Sequence, residues 1–563
     1  MDHGSKNFEV TAPRSRSYQG GFGRLFPDLA PWSPPGVPEH KLEEHFLRFA
    51  SEAMVEFPGQ SIADLLKAAD ADAVEPFDSD IPSGYVYFGQ FVDHDMTLDV
   101  TPLSSAEVDP NRLHNFRTPR LDLDCLYGQG PAAQPHLYAH DALGAFTGKF
   151  LVAPFNPGTF EGAPNGFANV PDTFHDLPRN SENRALIGDP RNDENIIVAH
   201  IHLAFLLAHN RLFDRATRAM PGATVNERFE AARKTLRWLY QWIVWSDFVR
   251  RVTDSVVHAT ALEEKAQPDG RMLWEMGYRD DVYDWKQDPF MPVEFSVAAY
   301  RFGHSMVRNA YQTNSRKPPA GFNVFFPIFD DHGRSSLKGG VPFDLVRVPQ
   351  WDWFLKMTTS RGPFPQRARR IDTRLANALL HLHEDPSNPG DPKKLLNVLA
   401  ARNLVRGVRM KLPAGEDVAR LFGLTPVPLA EGEPKTLWYY VLKEAETRAD
   451  GKLGPVGSII VAATFAGILK GDPLSWLNQQ PTWRPHRDPL LTGKKEDGTP
   501  IDFGEDPAEL PIDADNDVEG NNEWGLPAII RLSRLPIDGT PFGKIVVVPA
   551  AQAGAAAAVA AAG

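Results

Sequence analysis

A chain of 563 residues with 42% hydrophobic and 23% charged residues has the balance of a globular protein, neither disordered nor membranous. Its net charge of −13 argues against a partner held through nucleic-acid phosphates, and its one cysteine, Cys125, excludes an intramolecular disulfide framework, a thiolate zinc cluster and a paired-cysteine haem attachment. No stretch reaches the roughly 18 to 20 uninterrupted apolar residues of a membrane span.

In chain order, residues 1–45 read as an irregular arm, with "RSYQGGFGRLFPDLAPWSPPGVP" at its centre. The opening "MDHGSKNFEV" lacks the basic start and apolar run of a secretory signal, which leads to the expectation of a cytoplasmic protein, or one exported without a cleavable signal. Residues 46–545 read as one large domain. Its first helical pattern is "EEHFLRFASEAMV", and loops with a hairpin follow over "PAAQPHLYAHDALGAFTGKFLVAPFNPGTFEGAPNGFANVPD". From Glu194 to Met220, "ENIIVAHIHLAFLLAHNRLFDRATRAM" is apolar nearly all round, the pattern of a helix buried inside a large protein. Further helical patterns lie at "ERFEAARKTLRWLYQWIVWSDFVRRV", "VEFSVAAYRFGHSMV", "TRLANALLHLH", "KKLLNVLAARNLVRGVRM" and "VGSIIVAATFAGILKG". Residues 546–563 end in the alanine-rich tail "AAQAGAAAAVAAAG". The fold class is mainly α: one large helical domain with long loops and very little β.

Three stretches carry the chemistry-bearing residues. "YFGQFVDHDMTLDV", residues 87–100, sets Asp93, His94 and Asp95 side by side among apolar and aromatic neighbours. "TPRLDLDCLYG", residues 118–128, places Thr118, Asp122 and Asp124 in an oxygen-rich loop that suits a hard cation such as calcium, without the glycine and distant glutamate of an EF-hand. Two acids in an extended segment are usually just solvated. "IGDPRNDENIIVAH" carries Arg191 and Glu194 ahead of the long apolar helix, with Asp193 or Asn192 as its cap. Among the 17 histidines, His200, His202 and His209 share that helix, and His304 follows a glycine in "AYRFGH". A lone histidine on an apolar helix is more often a hydrogen-bonded core residue than a ligand, and the pair at 200 and 202 points to different faces.

Together, "GQFVDHDMT", "TPRLDLDCLYG", "GDPRNDEN", "AYRFGH" and "AARNLVRG" occur in an order that resembles the animal-type haem peroxidase superfamily (the peroxidase–cyclooxygenase superfamily), in its bacterial branch, over roughly residues 85–480. The resemblance implies a mainly helical peroxidase core holding haem b, with His304 as proximal ligand of the iron and Asn403 accepting that ring's other N–H. It implies His94 as the distal acid–base residue, Arg191 as the distal arginine and Gln90 as the distal glutamine that orders water or a halide. Asp93 and Glu194 match the acids that esterify the haem, and Arg301 and Arg406 match arginines near its propionates. Asn195 stands where members with a third, sulfonium link carry methionine, so at most two covalent links are expected. Asp95, Thr118, Arg120, Asp122 and Asp124 match a calcium site, while His202, Glu182 and the "HNR" at 209–211 match structural positions.

The activity implied is peroxidase: hydrogen peroxide is reduced, and a halide, thiocyanate or small aromatic donor is oxidised through a ferryl intermediate. Two alternatives stand beside it. A fatty-acid dioxygenase of the same superfamily needs a tyrosine three residues before the proximal histidine, where this chain has Arg301, with Tyr300 one residue further off. A non-catalytic adhesion module would have no use for the His94 and Arg191 pair. The expected partners are hydrogen peroxide and a small electron donor, with no nucleic acid and no membrane span.

Overall fold

The apolar tract at 194–220 forms the helix Ile196–Ala219, whose side chains are buried on every face. Asn195 opens it, its side-chain oxygen accepting the Ile197 N–H at 2.9 Å. This is the capping role that the sequence assigned to Asn192 or Asp193; Asp193 is instead clamped by the Arg179 guanidinium at 2.6 and 2.9 Å. By length and composition the helix is apolar enough to cross a membrane, yet 89% of its most apolar window is buried inside the protein. It is the core helix of this fold.

In a computed structural model, residues 21–70, 73–98, 115–155, 167–168, 174–278, 282–283, 289–315, 325–328, 336–344, 347–357, 365–505, 524–537 and 546–547 are described. Around the core helix pack Val225–Ile243, Leu526–Ser533 and Gly84–Met96. Val225–Ile243 starts with a reciprocal cap, Thr224 N donating to Glu227 Oε2 at 2.7 Å and Glu227 N donating to Thr224 Oγ1 at 3.3 Å. It runs on through a wide turn, Val244–Val249, to Arg250–Val252, as the 227–252 pattern predicts. Pro455–Gly471 is buried along nearly its whole length and opens with proline in its first turn, where a missing N–H is harmless. One contiguous apolar core joins these elements.

Two of the expected helices are shorter than their patterns predict. The 373–383 pattern yields only the short turn Asn377–Leu380. There Asn309 Oδ1 accepts the Ala378 N–H at 3.0 Å, and Asn377 exchanges two bonds with the Phe57 backbone, so tertiary partners take the groups that a helix would use. The 393–410 pattern is helical only over Leu399–Arg409. Leu437–Glu446, to which the sequence gave no element, is a helix capped by Thr436.

Among the described residues every sheet has two strands. Tyr138–His140 and Phe146–Phe150 form the expected hairpin. Asp78–Pro82 pairs with Arg367–Arg369 and leads into the 84–96 helix. At the ends, residues 1–20 of the arm and 548–563 of the tail lie outside the described residues. The helix Leu42–Ala53 already begins within the span read as an arm, and Val546–Val547, at the start of the tail, pair with Phe167–Ala168.

Candidate active site

The 84–96 helix presents Val86, Gln90, Asp93 and, just past its end, Thr97 along one stripe of a cavity of about 100 Å³. That spacing of three and four is one face of a helix. Tyr300, Arg301, His304 and Arg406 belong to the same wall. Asp93 accepts the Thr97 hydroxyl at 3.0 Å, and burial pushes its carboxyl up from the ordinary range against the pull of Arg191 and Arg301.

His304 sits on a segment the sequence predicted as regular helix. It is instead a wide turn over Glu294–Ala298 followed by a tight one over Ala299–His304. Arg301 Nε takes the Ser296 carbonyl at 3.0 Å, a group the regular ladder would use, and the Glu294 carboxylate is tied to Leu25 N at 3.0 Å. Arg301 Nη1 donates to Asn403 Oδ1 at 2.8 Å, and Asn403 Nδ2 donates to His304 Nδ1 at 2.8 Å. The amide therefore faces His304 with its nitrogen, opposite to the orientation the resemblance implied. A guanidinium only donates, so it claims the amide oxygen. Burial, with Arg301 and Arg402 nearby, drives the His304 pKa well down and keeps the ring neutral. Tyr300 donates its hydroxyl to Gly89 O at 3.0 Å, tying this segment to the 84–96 helix.

His94, Arg191, Glu194 and Asn403 are not part of the cavity wall. His94 is 1% exposed, and its Nδ1 donates to Asn192 Oδ1 at 2.8 Å while its Nε2 has no hydrogen-bond partner. Burial, then the charge of Arg191, push its pKa down to about 3, so the imidazole is neutral across the physiological range. Arg191 is fixed from several sides. Its Nε and Nη2 donate to Asp189 at 3.1 and 2.8 Å, and Nη2 also reaches His94 O at 2.9 Å and Thr97 O at 2.7 Å. Burial would raise the Asp189 carboxyl, but Arg117 and Arg191 outweigh it and hold it well below the usual carboxylate range. Glu194 sits between the turn Pro190–Asp193 and the cap Asn195. Glu182 is exposed on a loop, whereas His202 and His209 are buried.

Asp95 turns the other way from Asp93 and meets the 118–124 loop. Carboxylate oxygens of Asp95, Asp122 and Asp124 lie within 4.8 Å of one another. Leu123, between two of them, holds φ at 60°, a left-handed conformation that a branched side chain rarely adopts. In that conformation Leu123 N donates to Asp95 Oδ2 at 3.1 Å and Cys125 N to Asp95 Oδ1 at 3.2 Å, which aims the acids at one another. Thr118 Oγ1 donates to Asp122 at 2.9 Å, and the Thr118 carbonyl accepts the Arg120 N–H at 2.8 Å. Burial and the neighbouring Asp122 push Asp95 up to about 7, and burial pushes Asp124 well above the ordinary range despite Arg117 at 3.5 Å. Acids so crowded, Asp95 buried and Asp122 and Asp124 half-buried, form a donor set of hard oxygens fit for a cation such as calcium. At Gly188 an added Cβ would meet Cys125 O at 2.4 Å, so glycine lets the "GDPR" turn close on this loop.

Residues 101–324 match the family model of the animal haem peroxidases. That match, over less than half of the chain, makes part of it similar to the animal haem peroxidases. The matched span holds the carboxylate loop, Arg191, Glu194 and His304; the 84–96 helix and Asn403 lie outside it. A peroxidase-like protein of Margaritifera margaritifera is 26% identical over 291 residues, and human eosinophil peroxidase 25% over 333. These alignments cover 46% and 55% of this chain, but only 35% and 43% of the relatives, so the chain spans less than half of either. Peroxidase A of Dictyostelium discoideum shares the fold, with a TM-score of 0.52 and 17% identity over 85% of this chain and 92% of that one. Peroxidase folds of this kind are mainly helical, as this chain is. Residues that the sequence reading passed over are Asp189, Arg117 and the pairing of Asn192 with His202. "GDPR" was the only signal for the first of these, and nothing local marks the others.

Proposed function

We propose that this protein is a haem peroxidase, reducing hydrogen peroxide and oxidising a small donor such as a halide, thiocyanate or a phenol. The match of residues 101–324 to the animal haem peroxidase family model supports haem as the cofactor. The cavity wall supports this reading: a neutral imidazole, His304, and two arginines, Arg301 and Arg406, lie on it with Asp93. In this reading His304 ligates the iron, and Arg301 and Arg406 neutralise the propionates. Asp93, and Glu194 from off the wall, supply the ester links. Asp95, Asp122 and Asp124, with Thr118 and Arg120, hold calcium. Gln90, on the wall, orders water or the small donor.

Bound haem supplies an iron that takes up the peroxide and stores its oxidising equivalents. The protein's part is proton handling and charge. Neutral His94 accepts the peroxide proton at Nε2 and returns it to the departing oxygen. Arg191, immobilised by Asp189, keeps a positive charge beside that exchange with no reorganisation. The observation that carries the reading is the buried, neutral His94 whose Nε2 has no hydrogen-bond partner.

The test is rapid mixing of the haem-loaded protein with one equivalent of hydrogen peroxide, followed by a phenol. The Soret band is expected to move within the mixing experiment and to return as the phenol is consumed. His94→Leu should slow the first phase by about 10² or more. A wild-type band that peroxide leaves unmoved, or a protein that retains no haem, sinks the reading.

A further inference from the structure

His202 is buried, titratable and unused by the mechanism above, and Asn192 follows the distal arginine without capping any helix. The two touch. Asn192 Nδ2 donates to His202 Nδ1 at 3.0 Å, while Asn192 Oδ1 accepts from His94 Nδ1 at 2.8 Å. All three side chains are 1% exposed or less, so water does not compete. The relay joins three elements: the 84–96 helix through His94, the Pro190–Asp193 turn through Asn192, and the 196–219 helix through His202. Phe91 packs against His202 at 6.1 Å between ring centroids and stacks on Phe205 at 4.8 Å, holding His202 in place.

We propose that Asn192 and His202 are positioning residues for His94, locking its ring as the Nδ1–H tautomer with Nε2 left bare for the incoming peroxide. The inference deepens the peroxidase reading and rests on it for the role of His94. An amide has one accepting end and one donating end, whereas a neutral imidazole nitrogen plays either part. Two arrangements of the relay therefore satisfy every bond. In one, His94 carries its proton on Nδ1 and His202 on Nε2; in the other, the amide is turned over and both rings are inverted. The structure holds the first of these, with Asn192 Oδ1 facing His94 Nδ1 and Asn192 Nδ2 facing His202 Nδ1. Turning the amide would require His202 to change tautomer as well, so His202 holds Asn192 as Asn192 holds His94. A neutral amide accepts the Nδ1–H without holding a second proton, so the proton taken at Nε2 is readily returned.

The test reads tautomers directly, by long-range ¹⁵N–¹H correlation on full-length, histidine-labelled holoprotein in its diamagnetic, carbon monoxide-bound reduced form. His94 resonances are assigned by their loss in His94→Gln. The expected result is His94 protonated on Nδ1 and His202 on Nε2. In His202→Phe and Asn192→Leu, His94 is expected to show a mixture of tautomers. Cyanide, which also sheds a proton as it binds, is expected to associate about tenfold more slowly with those ferric variants at a fixed pH, with the resting spectrum unchanged. Wild-type His94 protonated on Nε2 overturns the inference while leaving the peroxidase reading intact. So does wild-type cyanide binding in both variants. His94 protonated on Nδ1 in a protein inert to peroxide overturns the peroxidase reading instead, since the tautomer lock is then present without the reaction.

Discussion

Adding calcium to chelator-treated protein at pH 6 is expected to expel protons. Asp95 is pushed up to about 7 and Asp124 well above the ordinary range by burial and by their crowding with Asp122. At pH 6 Asp95 therefore holds most of one proton, where an ordinary carboxylate near 3.9 would hold about 0.01, and the upward push on Asp124 acts in the same direction. A divalent ion takes the ionised form, so about one proton or more must leave per ion bound. The assay is isothermal calorimetry in two buffers of different ionisation heat, whose slope counts protons. Thermal unfolding is the weaker readout. Ligand at 100 times Kd adds about 2.7 kcal/mol. For 563 residues at about 2.1 cal/mol/K each, the unfolding entropy is about 1.2 kcal/mol/K, so the melting shift is only about 2 °C. Calcium that binds at pH 6 without proton release would refute the argument about the crowded acids, and an absence of binding would remove calcium from the proposed function.

Three further outcomes are expected. Arg117→Met strips the buried Asp189 of one of its two guanidiniums and Asp124 of its contact at 3.5 Å, which should lower unfolding stability by about 3 to 5 kcal/mol in urea titrations; a loss below about 1 kcal/mol would show that Arg191 alone suffices. Glu444 is 4% exposed, caps the 455–471 helix by accepting Val456 N at 2.8 Å, and is pushed up to about 7 by burial. Its folded-state pKa exceeds the unfolded one, so the folded form binds more protons and stability falls as pH rises from about 4.5 to 7. Glu444→Gln should remove up to about 3 kcal/mol of that slope, which identical urea midpoints for the two proteins at pH 5 and pH 8 would contradict. Tyr300→Phe is expected to leave phenol oxidation within about threefold of wild type; its loss, with the peroxide-induced spectral change intact, would point to a tyrosyl radical and favour lipid oxygenation.

The 196–219 helix was legible because its apolar residues run all the way round, and only burial satisfies such a pattern. The stripe of Gln90, Asp93 and Thr97 follows from spacing alone. The His304 segment was not legible in the same way: its turns widen and tighten because Arg301 captures a carbonyl five residues back and Asn403, far along the chain, meets both residues. Asn192 looked like a helix cap because asparagine ahead of an apolar helix usually is one. Asn195 was better placed, which freed Asn192 for a contact that only the tertiary fold creates. The acids of residues 118–124 stood out as a cation loop, but the left-handed Leu123 that aims them has no sequence signature.

The amide of Asn403 has a bearing on how the cofactor is acquired. A ring that accepts at Nδ1 carries its proton on Nε2, the nitrogen whose lone pair a proximal iron would need. Were His304 to ligate iron as proposed, that proton would have to move and the amide to rotate so that Oδ1 served the ring, leaving Arg301 to share that oxygen. The porphyrin and its metal would then meet different barriers, since iron-free protoporphyrin would leave the amide as it stands and haem would also need the rotation. Loading would take two steps, the slower one set by a single side-chain torsion.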